Sequence, residues 1–207
     1  FASSSRKFEA ISPATSEVGP LISVSPEEAK ERMKVILTHV FKLMNSLAHE
    51  SERASVILAV AWLDSDLEKV LKKVLHPCSG SGDNLLDSDR PLGAFSAKIT
   101  LARRIGVIDH EVESALQILR RMRNEFAHEL EASTLSSDRN RDRLTELGKR
   151  FEHWNVYQTG ISMGLAKNFN ISPEHEKMLI CVTCIVVLFQ IGLNTLRKVD
   201  VGTAISI

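Results

Sequence analysis

Met178-Leu179-Ile180-Cys181-Val182-Thr183-Cys184-Ile185-Val186-Val187-Leu188-Phe189-Gln190-Ile191-Gly192-Leu193-Asn194-Thr195-Leu196 contains no charged residue, and the reading of this run decides the fold. Its length approaches the roughly 20 residues needed to span a bilayer. Thr183, Gln190, Asn194 and Thr195 interrupt the apolar content, with Gln190 deep inside the run. The run therefore reads as a buried central or dimer-interface helix and not as a membrane span, because a helix that is apolar all round is expected where other helices surround it. Ser172-Pro173-Glu174 opens it with a capping serine, a proline at the first helical position and an acid in the first turn, and the helix is expected to reach about Lys198.

The same start signal recurs upstream. Ser25-Pro26-Glu27-Glu28 predicts a helix to about Ala48, and a second helix is expected from about Glu52 to Leu75, before His76-Pro77. Residues 79–84 are Ser, Gly, Asp and Asn and read as a loop. Pro91 is expected to begin a third helix that ends near Ile105-Gly106, with glycine in the cap. Asp109 caps a fourth helix through Glu129, which makes 106–109 a tight turn. The polar span 132–143 reads as a loop or exposed helix start, and a short helix is expected over 142–153. No run alternates apolar and polar residues convincingly enough for a strand. The expected class is all-α: an antiparallel helical bundle with a long apolar C-terminal helix. A flexible arm is expected over 1–24, one bundle domain over 25–199 and a tail over 200–207.

Of 207 residues, 43% are apolar and 25% charged, a balance that supports a buried core. The 26 basic and 26 acidic side chains cancel, which argues against nucleic-acid binding driven by bulk charge and leaves only a local patch. Cys78, Cys181 and Cys184 do not make a disulfide framework, and together with the absence of a signal-peptide pattern at the start they point to the cytoplasm. Cys181 and Cys184 have redox or zinc spacing but sit in the apolar run without a second ligand pair, so they read as core residues. His39, His49, His76, His110, His153 and His175 show no ligand spacing, and there is no phosphate-cradling loop, nucleophile elbow or dinucleotide fingerprint. No metal and no cofactor is expected.

At about 100° per residue, the fourth helix gathers Val112, Ala115, Leu116, Leu119, Met122, Phe126 and Leu130 on one face, and Arg123 falls on it. In the second helix Asp64 and Arg53 fall on the face of Ile57, Val60, Leu67 and Leu71, while Asp66, Lys69 and Lys73 point outward. A charge on an apolar face is costly unless paired. The expectation is an ion pair between Arg123 and Asp64, shared by Arg53. Lys98, Arg103 and Arg104 on the third helix and Arg120 and Arg121 on the fourth are candidates for one phosphate-binding patch; the bland reading is a solvated face.

Two resemblances rest on these segments. Pro91-Leu92-Gly93-Ala94-Phe95-Ser96-Ala97-Lys98-Ile99, then Arg104-Ile105-Gly106-Val107-Ile108, then Arg123 and His128, resemble in order and spacing the mannitol operon repressor (MltR) family of bacterial regulators. That likeness covers roughly residues 52–130 and implies an all-helical, self-associating transcriptional repressor acting through protein or nucleic-acid association. Arg123-Asn124-Glu125-Phe126-Ala127-His128 also resembles the Arg-polar-x-x-x-His motif of the HEPN superfamily. That likeness implies a metal-independent endoribonuclease whose motifs meet across a dimer. His128 would move the proton of a ribose 2′-hydroxyl, Arg123 would stabilise the phosphorane-like transition state, and Asn124 would orient His128 or the phosphate. The regulator is the leading expectation, with the ribonuclease, as a toxin or defence component, the alternative. A homodimer is expected in both cases, with a regulatory protein, RNA or DNA as further partners.

Overall fold

The computed structural model describes residues 25–78, 80, 84–128, 134–164 and 168–200. The expected arm over 1–24, most of the Ser/Gly loop and the end of the tail lie outside the described residues. These residues form seven helices of nine residues or more: α1 (Pro26–Ala48), α2 (Glu52–Val74), α3 (Phe95–Arg104), α4 (His110–His128), α5 (Asp138–Phe151), α6 (Asn155–Met163) and α7 (Pro173–Thr195). No strand is present among them, and the all-α class holds.

The start and stop signals work locally as their chemistry predicts. Ser25 and Glu28 form a reciprocal capping box, and Ser172 accepts from the His175 amide at the head of α7. Asp109 Oδ1 accepts from the Val112 amide at 2.8 Å. After α3, Gly106 takes φ +77°, and the Gly106 and Val107 amides return to the Arg103 and Ala102 carbonyls. That pair of bonds closes a helix end through a left-handed residue, which costs little only at glycine.

Helix α7 is the hub. It packs against α1, α2, α5 and α6. Met178 through Val186 are buried without a break, so no polar face is left along the middle of the helix. It is long and apolar enough to cross a membrane, yet 56% of its most apolar stretch is covered by neighbouring helices. Two glycines allow the close approach. A Cβ on Gly160 of α6 would stand 2.9 Å from Ile180 Cγ2, and one on Gly148 of α5 would stand 2.8 Å from Lys177 Cε. A single apolar core runs from Ile36 to Phe189 and draws on every helix.

Several boundaries differ from expectation. α3 begins at Phe95 and not at Pro91, because residues 87–93 are spent on successive turns: the Arg90 amide donates to Asp87 and the Gly93 amide to Arg90, at 2.9 Å each. Gly93 is pressed there against the Asp87 carbonyl, with no room for a side chain. α5 starts at Asp138, earlier than 142, since the buried Asn140 anchors its first turn to the Thr134 carbonyl at 3.0 Å. α6 was not anticipated. α7 stops at Thr195, short of Lys198, because the chain turns to close the end of α2. The Val199 amide donates to Val74 O at 2.7 Å and Lys198 Nζ to Leu75 O at 2.7 Å.

Candidate functional site

The last turn of α4 divides its side chains into two sets. Phe126 is fully buried, and Glu125 turns toward α5, where its carboxylate meets Arg143 Nη1 at 2.6 Å, Arg139 Nη1 at 3.4 Å and Asn140 Nδ2 at 3.3 Å. Burial alone would raise the Glu125 carboxyl, but Arg143 and then Arg139 outweigh it and hold the group below the usual carboxylate range. This pair of residues fixes the turn. Arg123 and His128 stand exposed and Asn124 half-exposed, with Arg123 Nη1 donating to Asn124 Oδ1 at 3.1 Å.

Arg123 is therefore not on a buried face. It lies at the edge of the apolar stripe, and α3 is too short to cover it. Arg103 near the end of α3 faces Glu113 at 3.6 Å. In that antiparallel register α3 begins roughly level with Arg121, at about 1.5 Å of rise per residue in each helix. The last turn of α4 extends beyond it.

The expected ion pair between Arg123 and Asp64 is not formed. Asp64 meets Lys98 Nζ at 2.9 Å, and Glu68 meets the same amine at 2.7 Å. Arg53 does not share this pair, being eleven residues from Asp64, or about 16 Å along the axis of α2. Burial alone would lower the Lys98 amine, but Glu68 and Asp64 outweigh it and raise it. Lys98 is thus 4% exposed and neutralised twice over, which removes it from the phosphate patch.

The rest of the patch does not converge either. Arg103 and Arg104 are exposed at the far end of α3, with Arg103 beside Glu113. Arg120 and Arg121 lie about 10 Å further along α4 by helical rise, and Arg120 Nε is engaged by Gln117 at 2.8 Å.

The sequence reading missed two polar clusters. Asp66, expected to point outward, is fully buried. Its Oδ2 lies 3.0 Å from His39 Nε2 of α1 and 3.5 Å from Gln190 Nε2 of α7, and its Oδ1 accepts from Lys69 at 2.7 Å. Trp62 Nε1 points at the same His39 Nε2 at 3.0 Å. The second cluster ties the N-termini of α2 and α7. Glu52 accepts from Ser172 Oγ at 2.7 Å and from the Leu135 amide at 2.8 Å, while His175 Nε2 and Ser55 Oγ are 2.8 Å apart. Both clusters are packed into helix junctions and hold the bundle together.

Cys181 and Cys184 are buried, and burial pushes the Cys181 thiol up to about 12 and the Cys184 thiol still higher, so both stay protonated core residues. No cluster of three or more His, Cys, Asp or Glu side chains suited to a metal occurs among the described residues. A shallow cavity of about 510 Å³ lies between α2 and the turns before α3, lined by Asp64, Glu68, Asp87, Asp89 and the Lys98 stem. Its acidic wall is unsuited to phosphate. No family model, no curated protein and no solved structure matches the chain.

Proposed function

We propose that the protein is a mannitol-operon-repressor-like regulator that acts by association, with the last turn of α4 as the surface that engages a phosphate-bearing partner. The observation that carries this reading is the division of labour in Arg123–His128. Glu125 and Phe126 serve the fold, whereas Arg123, Asn124 and His128 are left at the surface. An exposed guanidinium and an exposed imidazole at one helix end suit an anionic partner, and Arg reads phosphate through paired donors. Within one chain Arg123 and His128 are separated by about 140° around the helix axis, which suits binding better than a converged acid–base pair. The segment 91–108, which carries most of the regulator-like pattern, builds turns, a buried Lys98 pair and a helix stop, so its residues serve the fold and leave recognition to the last turn of α4.

The second reading is a metal-independent endoribonuclease of HEPN type, completed when a second copy brings its own Arg123 and His128. It is favoured by the fact that none of the three motif side chains is used to hold the core. One experiment separates the two. The protein and its Arg123→Ala/His128→Ala double variant are incubated with mixed RNA in EDTA. Retention of RNA by the wild type without cleavage supports association. Cleavage by the wild type alone, leaving 2′,3′-cyclic phosphate ends, supports the ribonuclease. Wild type and variant behaving alike with neither binding nor cleavage removes α4 from the function.

A further inference from the structure

We infer that Arg139 of α5 is a second phosphate-binding group that flanks His128, so that the surface recognises a run of backbone phosphates in single-stranded RNA. This rests on the reading of the last turn of α4 as a phosphate-engaging surface. The inference begins with the charge count around Glu125. One carboxylate faces two guanidinium groups. Arg143 makes the shorter contact, 2.6 Å, with its side chain 20% exposed, and it also donates to Asn140 Oδ1 at 3.0 Å. That contact alone neutralises Glu125. Arg139 touches the same oxygen at 3.4 Å with its side chain 67% exposed. Its charge is surplus to the fold, and the loose contact holds the guanidinium in place without consuming its remaining donors.

The position of that surplus charge follows from helix geometry. Residues three and four apart on a helix are neighbours on its surface. His128 is four residues after Asn124, which accepts from Arg123, and three residues after Glu125, which accepts from Arg139. The imidazole is therefore bracketed: on one side by Asn124 with Arg123, on the other by Glu125 with Arg139. Two exposed guanidinium groups on either side of one imidazole suit consecutive phosphates of a flexible strand. The one phenyl side chain of the motif, Phe126, is fully buried and cannot stack on bases, so recognition falls on the backbone.

The test is fluorescence anisotropy with a short labelled 2′-O-methyl RNA, which keeps the phosphodiesters and removes the nucleophile. Binding is measured over a salt series for the wild type, Arg139→Gln, Arg139→Lys, Arg123→Ala and, as a remote control, Lys30→Gln, an exposed lysine of α1. Arg139→Gln is expected to weaken binding about fivefold and to flatten the logarithmic salt slope by about 0.7, the value of one phosphate contact on a single strand. Arg139→Lys should keep the salt slope, and Lys30→Gln should change neither. Unaltered thermal unfolding of Arg139→Gln, with Arg143 still on Glu125, excludes a folding artefact. Wild-type binding that is lost in Arg123→Ala but intact in Arg139→Gln overturns the role of Arg139 and leaves the α4 reading standing. Equal effects of Arg139→Gln and Lys30→Gln also overturn it, since that is bulk charge. No binding by the wild type overturns both.

Discussion

His175 Nε2 and Ser55 Oγ meet at 2.8 Å inside the core, joining the head of α7 to the first turns of α2. The ring is 2% exposed. Burial lowers its proton affinity, and that effect exceeds the opposing pull of Glu52 and of a bond to the Leu47 backbone. The folded-state pKa is thus below the unfolded value of about 6.5. Protonation then favours the unfolded chain. The contribution is complete above about pH 6.5 and is lost as pH falls below it, with a slope of up to about 1.4 kcal/mol per pH unit for one proton. Urea unfolding at a series of pH values should show this loss in the wild type and not in His175→Gln. An equal slope in both proteins would sink the argument.

Glu125 and Arg143 predict the opposite behaviour from their immediate neighbours in sequence. Glu125→Ala leaves Arg143 and the buried Asn140 without their shared acceptor, at a cost of about 2–3 kcal/mol. Arg123→Ala and His128→Ala remove exposed groups and should change stability by no more than about 0.5 kcal/mol. Denaturant midpoints of the three single variants check this directly. A large loss in Arg123→Ala would mean that the motif is architectural after all.

Asp66 holds three helices at one point. Asp66→Ala removes the acceptor of His39, Lys69 and Gln190 and should cost about 2–3 kcal/mol, within the range for hydrogen bonds to a charged group. His39 Nε2 cannot donate to Asp66 and accept from Trp62 in the same protonation state. Loss of Asp66 leaves that nitrogen to Trp62 alone, and Trp62 emission in a Trp154→Phe background should shift with the substitution. Unchanged emission together with an unchanged unfolding midpoint would refute this account of the junction.

Gly160 offers a packing test. Alanine is the better helix former by about 0.5–1 kcal/mol, but its Cβ would press on the buried Ile180 at 2.9 Å. Overpacking of this kind costs about 1–3 kcal/mol, so Gly160→Ala should be net destabilising. Pairing it with Ile180→Ala, which removes both Cγ atoms that the new Cβ would meet, should recover part of the loss, and strict additivity of the two changes would show that the contact does not matter.

What the sequence made legible was local. The caps at Ser25, Asp109 and Ser172, the stop at Gly106 and the burial of residues 178–186 within the apolar run follow from chemistry within a few residues, and the structure bears them out, while the end of the run is partly open, with Ile191, Asn194 and Thr195 exposed. What it hid depends on which helices become neighbours. A helical wheel assumes one wet face and one dry face, but α2 is packed by α1, α3, α4 and α7. Some of its polar residues are therefore covered too, and Asp66 becomes the buried acid while Asp64 reaches Lys98. The same reasoning failed at Arg123, where the wheel could not register that α3 begins one turn too late to cover it. Glu125 was legible in principle: an acid at the margin of the apolar stripe of α4, with Arg139 and Arg143 one turn apart on the next helix to meet it.

The central helix is also made after every helix it packs against. Synthesis adds residues in order, so α1, α2, α5 and α6 are already made while residues 173–195 are still to come. Until then the inward faces of α1, α2, α5 and α6 have nothing between them, and their apolar side chains are open to other chains. The part of the core that α7 fills therefore closes late, and a chain interrupted before Met178 is left with open apolar helix faces, the kind of species that chaperones and proteases collect.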